Sequence, residues 1–314
     1  MLRILTIFLL LCVPLLQSCQ QETESRLLIV STIKPVQALV YAVAGDANQA
    51  LELQQLLPDG TSPHHYALKP SDMRTLENAR VIFRIDSGLE TFLDKPLTGL
   101  GSHTHIVTLA DTPGLQHLPN RLPHYHAANR ADTHQHDETP PTNSSKDLHL
   151  WLNPQNAIAM THEIARVLAQ ADPAHREDYA NNAAQLVQRI QTTDTQIRQQ
   201  LEPLRGRPYL SFHDAWQHFD THYDLNFAGA VTLDVARSPG ARHVSHIRQI
   251  IADKQAVCLF EEPQFSPALI KTLVENSSIH LGQVDPLGVG LPLDDKTYTV
   301  LLQNAANSFA DCLR

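Results

Sequence analysis

The sequence predicts an α/β protein: two parallel-sheet lobes bridged by a long helix. Three observations carry this reading. Apolar runs of strand length alternate with helical segments in two separate series, and such alternation implies a parallel sheet covered by helices on both faces. One long helical pattern, from Pro173 to Glu202, separates the two series. The chain has 314 residues, enough for two domains at roughly 100 to 200 residues each.

The extreme N-terminus stands outside both lobes. Residues 1–18 read as a signal peptide: Arg3 gives a positive start, and the apolar run from Ile4 to Leu16 is shorter than the ~20 residues a membrane helix needs. Leu16-Gln17-Ser18-Cys19 resembles a bacterial lipobox, in which Cys19 would be lipidated and become the first mature residue. The chain is therefore expected to be exported, periplasmic or held to a membrane through Cys19. Cys12 leaves with the leader, so the mature body keeps Cys258 and Cys312 besides the anchor. Two cysteines in an exported chain usually pair, and two unpaired buried thiols are the alternative. A formal net charge of -9 argues against nucleic acid as a partner and suits a protein that attracts cations.

The first lobe is placed at residues 26–171. Leu27 to Thr32 is continuous, apolar and β-branched, as a buried parallel strand should be. Lys34-Pro35 opens a helix to Ala44, with Pro35 suited to its first turn. A second strand spans Ala50 to Leu57 and ends in the loop Pro58 to Tyr66, which holds His64. A helix from Ser71 to Asn78, a strand from Val81 to Ile85, a helix at Leu89 to Asp94 and a strand at His105 to Leu109 continue the alternation. From 111 to 146 the pattern vanishes into a polar, proline-rich loop containing His117, His124, His126, His134 and His136. Such histidine-rich tracts bind metal weakly, which would let this one gather ions; an ordinary solvated insertion is the bland reading. Beyond it, Asp147 to Trp151 leads into a helix from Pro154 to Ala171.

The linker helix, 173–202, has apolar residues at Tyr179, Ala183, Leu186, Ile190, Ile197 and Leu201, a helical spacing that buries one face. At its full length it would extend ~45 Å. The second lobe, 207–314, repeats the alternation: strands at Arg207 to Phe212, Asn226 to Val231, Val257 to Phe260 and Ile279 to Val284, and helices at Ala215 to Tyr223, Ala241 to Asp253, Pro267 to Asn276 and Lys296 to Cys312.

Ligands of open parallel sheets bind beyond the carboxyl ends of the strands. Four side chains fall there: His64, His149 (between Leu148 and Leu150), His213 and Asp285. Apolar neighbours should keep the His149 imidazole neutral, the form that binds a metal. Two of the four come from each lobe, which predicts a metal site in the interlobe cleft; three imidazoles, with or without a carboxylate, make a tetrahedral set suited to zinc.

At these positions the chain resembles the metal-binding solute-binding proteins of bacterial zinc and manganese ABC importers, in their zinc branch. The resemblance rests on Pro58-Asp59-Gly60 with His64, Asp147-Leu148-His149-Leu150-Trp151, Phe212-His213-Asp214-Ala215, Glu262-Pro263-Gln264-Phe265 and Asp285-Pro286-Leu287-Gly288. It covers essentially the whole mature chain, including the histidine-rich loop and the Cys258 and Cys312 pair. It implies two lobes on a bridging helix, with Zn2+ held by His64, His149 and His213. The manganese branch carries Glu where His213 stands, so imidazole there favours zinc. Asp285 is implied as a fourth ligand or as a group behind the ligands. Some relatives have an acidic residue just before the first histidine, where this chain has Pro63. The partner implied is a membrane permease of a zinc importer, receiving the ion from a monomeric, non-enzymatic receptor.

Rival constellations point elsewhere. His218 with His222, and His243 with His246, have helical spacing and read as solvated faces rather than metal clamps. His162-Glu163 begins like a zinc-protease motif, but Arg166 stands where the second histidine belongs. Glu261 and Glu262 read as ion-pair residues. An exported zinc hydrolase would need a base such as Asp214 or Asp285; a zinc-buffering adhesin or a manganese-binding relative would need only the ligands.

Overall fold

A computed structural model of the chain describes residues 26–45, 49–121, 146–232, 235, 239–253 and 255–314. Residues 1–18, read as a signal peptide, Cys19 and the loop histidines His124, His126, His134 and His136 lie outside the described residues. Among the described residues, no helix is long and apolar enough to cross a membrane.

Each series of apolar runs becomes a four-stranded parallel sheet. The first contains β1 (Leu27–Ser31), β2 (Leu51–Gln55), β3 (Val81–Arg84) and β4 (His105–Thr108) in the order β2-β1-β3-β4. The second contains β5 (Pro208–His213), β6 (Asn226–Thr232), β7 (Cys258–Glu261) and β8 (His280–Gln283) in the order β6-β5-β7-β8. The topology is the same in both. Each sheet's first strand lies between its second and third, so chain direction across the sheet reverses between β1 and β3, and again between β5 and β7. Crevices open at such points, at the carboxyl ends of the strands. In the first sheet the crevice is filled by Glu90, which accepts hydrogen bonds from Thr32 Oγ1 and from the Ile85 and Asp86 amides. Burial pushes its carboxyl up to about 7. In the second sheet the corresponding place is held by Glu262.

The helices cover these sheets: α1 (Lys34–Ala44), α2 (Pro70–Asn78), α3 (Asp94–Thr98), α4 (Pro154–Ala171), α5 (Arg176–Leu201), α6 (Gln217–Tyr223), α7 (Ala241–Ala252), α8 (Ala268–Val274) and α9 (Thr297–Leu313). The helix expected at Leu89 to Asp94 is instead a 3-10 turn, Thr91–Leu93, running into α3. Pro96 explains the break: it has no amide hydrogen to bond to the carbonyl four residues earlier, and so fits only a first turn.

The long helix is α5, flanked by 3-10 turns at Pro173–His175 and Glu202–Leu204. Its 26 residues extend about 39 Å. The six apolar residues expected on one face are all buried, and Asp194 occupies the gap between Ile190 and Ile197. That carboxylate survives burial because it accepts from His222 Nε2 at 2.8 Å and Gln155 Nε2 at 3.2 Å. The polar residue thus ties α5 to α6 and α4 at once.

The lobes do not have separate interiors. One continuous apolar cluster runs from Ile29, Val36 and Leu39 of the first lobe through Leu186 and Ile190 of α5 to Tyr209, Phe260 and Phe309 of the second. A smaller cluster lies under α7 and α8. Helix α5 packs against α1 and α4 on one side and α9 on the other, and α1 touches α9 directly. Close packing resists continuous deformation, so the halves are held as one body around the cleft.

Cys258 in β7 and Cys312 in α9 form a disulfide. Gly282 lies over it. A Cβ at that glycine would come within 2.7 Å of the Phe260 ring and 2.9 Å of Cys312 Sγ, so only glycine fits. The crosslink closes a separation of 54 residues, worth at most about 4 kcal/mol in the chain-entropy model. Cys258→Ser or Cys312→Ser is expected to lower unfolding free energy by about 2 to 4 kcal/mol, read from urea denaturation. Reductant should produce the same loss in the unaltered chain and none in the variants.

Candidate metal centre

Three elements bring the site together. β5 ends on His213, whose backbone still pairs with Thr232 of the neighbouring strand. His149 heads the 3-10 turn Leu150–Leu152, which passes into α4 through Asn153, an N-cap accepting from the Gln155 amide at 2.8 Å. His64 comes from the loop after β2, where its amide donates to Ser62 Oγ at 3.3 Å.

The three rings form a nearly equilateral triangle, with centroid separations of 5.5 Å (His64 to His149), 5.8 Å (His64 to His213) and 5.3 Å (His149 to His213). One ring nitrogen of each lies within 4.8 Å of the other two. His149 and His213 are each 7% exposed. Trp151 packs on His149 at 5.4 Å, and Phe265 packs on His213 at 5.3 Å.

Buried carboxylates fix how each ring is turned. His149 Nδ1 lies 2.7 Å from Asp147 Oδ1, and His213 Nδ1 lies 2.7 Å from Glu262 Oε1. An ionised carboxylate can only accept, which assigns the proton to Nδ1 in both rings and leaves a lone pair on each Nε2. These two Nε2 atoms are 3.4 Å apart. His64 Nε2 is likewise buried, with no hydrogen-bond partner. Unpaired acceptors facing one another in a dry site are unfavourable unless a proton or a cation lies between them.

The electrostatics follow from this geometry. Burial draws the His149 proton affinity down, but Asp147, with Glu262 and Asp214 behind it, outweighs burial and leaves the pKa above the usual histidine range. The expectation that apolar neighbours would make this ring neutral is therefore corrected: burial is the largest single influence, but Asp147, Glu262 and Asp214 together outweigh it. His64 has no such partner. Burial and the two neighbouring imidazoles hold its pKa well below the usual value. Asp147 is also pushed up by burial, but His149 and His218 bring it below the usual carboxylate range.

Asp285, expected as a fourth ligand or as a group behind the ligands, is not among the residues whose ligand atoms gather within 4.8 Å of one another. Its carboxylate accepts from Gln264 Nε2 at 2.8 Å and from the Leu287 and Val289 amides. It shapes the turn containing Gly288, whose φ is +71°. That turn brings the Pro286 carbonyl to Trp151 Nε1, at 2.8 Å. Asp285 thus holds the loop that meets the first lobe. His218 is corrected as well. It is fully buried rather than solvated, and its Nε2 donates to the Asp147 carbonyl at 3.1 Å. His222 joins Asp194, and His243 Nε2 donates to the Ala230 carbonyl at 2.9 Å. His117, the described member of the histidine-rich loop, lies outside the three-imidazole group, and its Nδ1 is buried without a partner. Asp214 is paired with Arg121.

Sequence reasoning did not assign Asp147 and Glu262 their roles. For Asp147 a signal existed, since a carboxylate two residues before a histidine can fold back onto its amide and Nδ1. Glu262 is 49 residues from His213, and only the pairing of β5 with β7 brings it there.

A family model described as periplasmic zinc-uptake complex component A matches residues 29–312. The high-affinity zinc uptake system protein ZnuA of Brucella abortus (strain 2308) is 34% identical over 308 residues, with 91% of each chain covered. Among solved structures, a crystal structure of ZnuA has TM-score 0.74 and 21% identity, covering 92% of this chain and 100% of that one. The periplasmic zinc binding protein TroA from Treponema pallidum has TM-score 0.74 and 18% identity, covering 92% and 99%. These two structures share the fold of two parallel-sheet lobes on a long helix.

Imidazole titration by NMR in metal-free protein should find His149 holding its proton above pH 6.5 and His64 losing its own well below that. Asp147→Asn should bring the His149 pKa down. Equal titration of the two rings in the unaltered chain would contradict the assignment.

Proposed function

The chain belongs to the family of periplasmic zinc-uptake complex component A, and from that premise we propose that it is the exported receptor of a zinc importer, capturing Zn2+ through His64, His149 and His213. It then passes the ion to the membrane permease of an ABC-type system. The zinc is cargo rather than a resident cofactor, and the receptor works outside the cytoplasm as a monomer with no catalytic step. Lipidation of Cys19 would keep it close to the permease.

The observation that carries this reading is the separation of the His149 and His213 Nε2 atoms, 3.4 Å. Zinc bonds to histidine nitrogen at about 2.0 to 2.1 Å, and in a tetrahedron two such ligands lie about 3.3 to 3.4 Å apart. The pair is thus already set at the edge length of a zinc tetrahedron. His64 supplies a third acceptor, and a water completes four-coordination. Asp147 and Glu262, each bonded to the far nitrogen of a ligand ring, raise ligand basicity and fix the rings in place. Their two negative charges together match the two charges of the ion. Three imidazoles with no directly bound carboxylate favour zinc over manganese.

A zinc hydrolase would need a free base beside the ion. Asp214 is held by Arg121, and Asp285 is held by Gln264 and two backbone amides. Both candidates are occupied, which favours a receptor.

Metal analysis of protein purified without a histidine tag should give one zinc per chain, and His149→Ala or His213→Ala should weaken binding at least ~100-fold, since two nitrogens cannot close a structural tetrahedron. Manganese should fail to displace zinc at equal concentration. The pH dependence has a definite sign. Capture must expel the proton held at His149, whose pKa is raised, so apparent affinity should begin to fall above pH 6.5 and drop about tenfold per unit for each proton displaced. An affinity constant between pH 7.5 and 5.5 would contradict imidazole ligation.

A further inference from the structure

The segment from Gln116 to Arg121 crosses from the first lobe to the second, and it touches the chain beside both carboxylate-backed imidazoles. It begins on α4: the Gln116 amide donates to Asn156 Oδ1 at 2.7 Å, its carbonyl accepts from Asn156 Nδ2 at 3.0 Å, and its side chain accepts from Asn153 Nδ2 at 2.9 Å. Next, the Leu118 carbonyl accepts the Asp147 amide at 2.9 Å, and Pro119 bridges Lys146. These bonds fasten the strap to the strand of chain that carries His149. On the other side, the Pro119 carbonyl accepts from Gln217 Nε2 of α6 at 2.9 Å.

Arg121 completes the crossing. Its Nη1 reaches Asp214 Oδ1 at 2.8 Å, and its Nη2 reaches Asp220 Oδ1 at 2.5 Å. The guanidinium lies 4.0 Å over the Phe227 ring. Asp220 is further held by Tyr209 Oη at 2.7 Å. Arginine suits this position because its planar fork can serve two carboxylates and an aromatic face together, which an ammonium cannot. Asp214 directly follows His213. The strap therefore makes a short mechanical loop: His149, Asp147, Leu118, Arg121, Asp214, His213.

We propose that Arg121 is a positioning residue for metal capture, clamping the Asp147–His149 segment of the first lobe to the His213–Asp214 segment of the second, so that it governs how fast a captured ion is released. This rests on the receptor reading above. The clamp does not touch the ion. It acts by holding the separation between two ligands whose spacing decides whether the tetrahedron closes. The bonds from Asp147 and Glu262 orient each ring within its own lobe; the Arg121 pair works across the cleft.

The test uses the full mature chain and zinc alone, with release followed by stopped-flow transfer to a chromogenic chelator. Arg121→Lys keeps the charge but cannot span both carboxylates, and Asp214→Ala removes the acceptor next to His213 while leaving Arg121 on Asp220. Both should release zinc about tenfold faster, at the lower end of what groups behind metal ligands contribute, with the capture rate little changed. Asp172→Ala serves as the comparison, because it loses the acceptor for Tyr179 and His175 at the start of α5, far along the chain from the cleft. It should lower thermal stability and leave release as in the unaltered chain. Unaltered release in folded Arg121→Lys and Asp214→Ala overturns the clamp while the receptor reading stands. Faster release in Asp172→Ala in proportion to its lost stability also overturns it, by showing that release follows stability in general. An unaltered chain that takes up no zinc defeats the receptor reading, and the clamp falls with it.

Discussion

Two histidine Nε2 atoms meet across 3.4 Å in a buried site, and the rest of the structure is arranged to hold them where only a proton or a cation can relieve the contact. Left to themselves, the rings would turn to expose their acceptors to water or to donate to each other. Asp147 and Glu262 prevent this by taking the Nδ1 hydrogens. Those carboxylates are secured in turn: Asp147 accepts the His149 amide at 3.1 Å and its carbonyl holds His218, while Glu262 sits at the switch point of the second sheet. The local cost is borne by a large shared core. Local rules for burial and pairing are satisfied through most of the fold and broken at the place that binds.

The repeated topology explains why the site lies between the lobes and why one of its carboxylates comes from a switch point. Each sheet produces a crevice, and a glutamate enters each. Glu90 closes its crevice on backbone amides and Thr32, whereas Glu262 turns to a histidine. One crevice has become a structural plug and the other a support for a ligand. Ties across the cleft then hold the lobes in register: Trp151 to the Pro286 carbonyl, Tyr298 Oη to the Trp151 carbonyl at 2.6 Å, and Lys34 to Asp59 and to the Leu291 carbonyl. With α5 and one apolar interior common to both halves, ion capture is served by a largely preformed geometry. Small shifts of loops, rather than wide closure, are the motions such a body allows.

What could be read directly from residues was whatever depends on local periodicity and chemistry. Alternating apolar runs placed the strands to within a residue or two, and the helical spacing from Tyr179 to Leu201 named the buried face of α5, because burial of one face follows from the pitch of the helix itself. The histidines at strand ends followed from where parallel sheets bind ligands. The cysteine count, with the expectation of export, pointed to the Cys258–Cys312 pair. Tertiary structure alone decided the partners. That His218 is buried, that Asp194 is satisfied in an apolar face, that Asp285 shapes a turn, and that Glu262 and Arg121 reach across to their neighbours all depend on which elements pack together. Hydrogen bonds and ion pairs act over a few ångströms, and those contacts join residues separated by tens of positions, so only the folded arrangement of the sheets determines them.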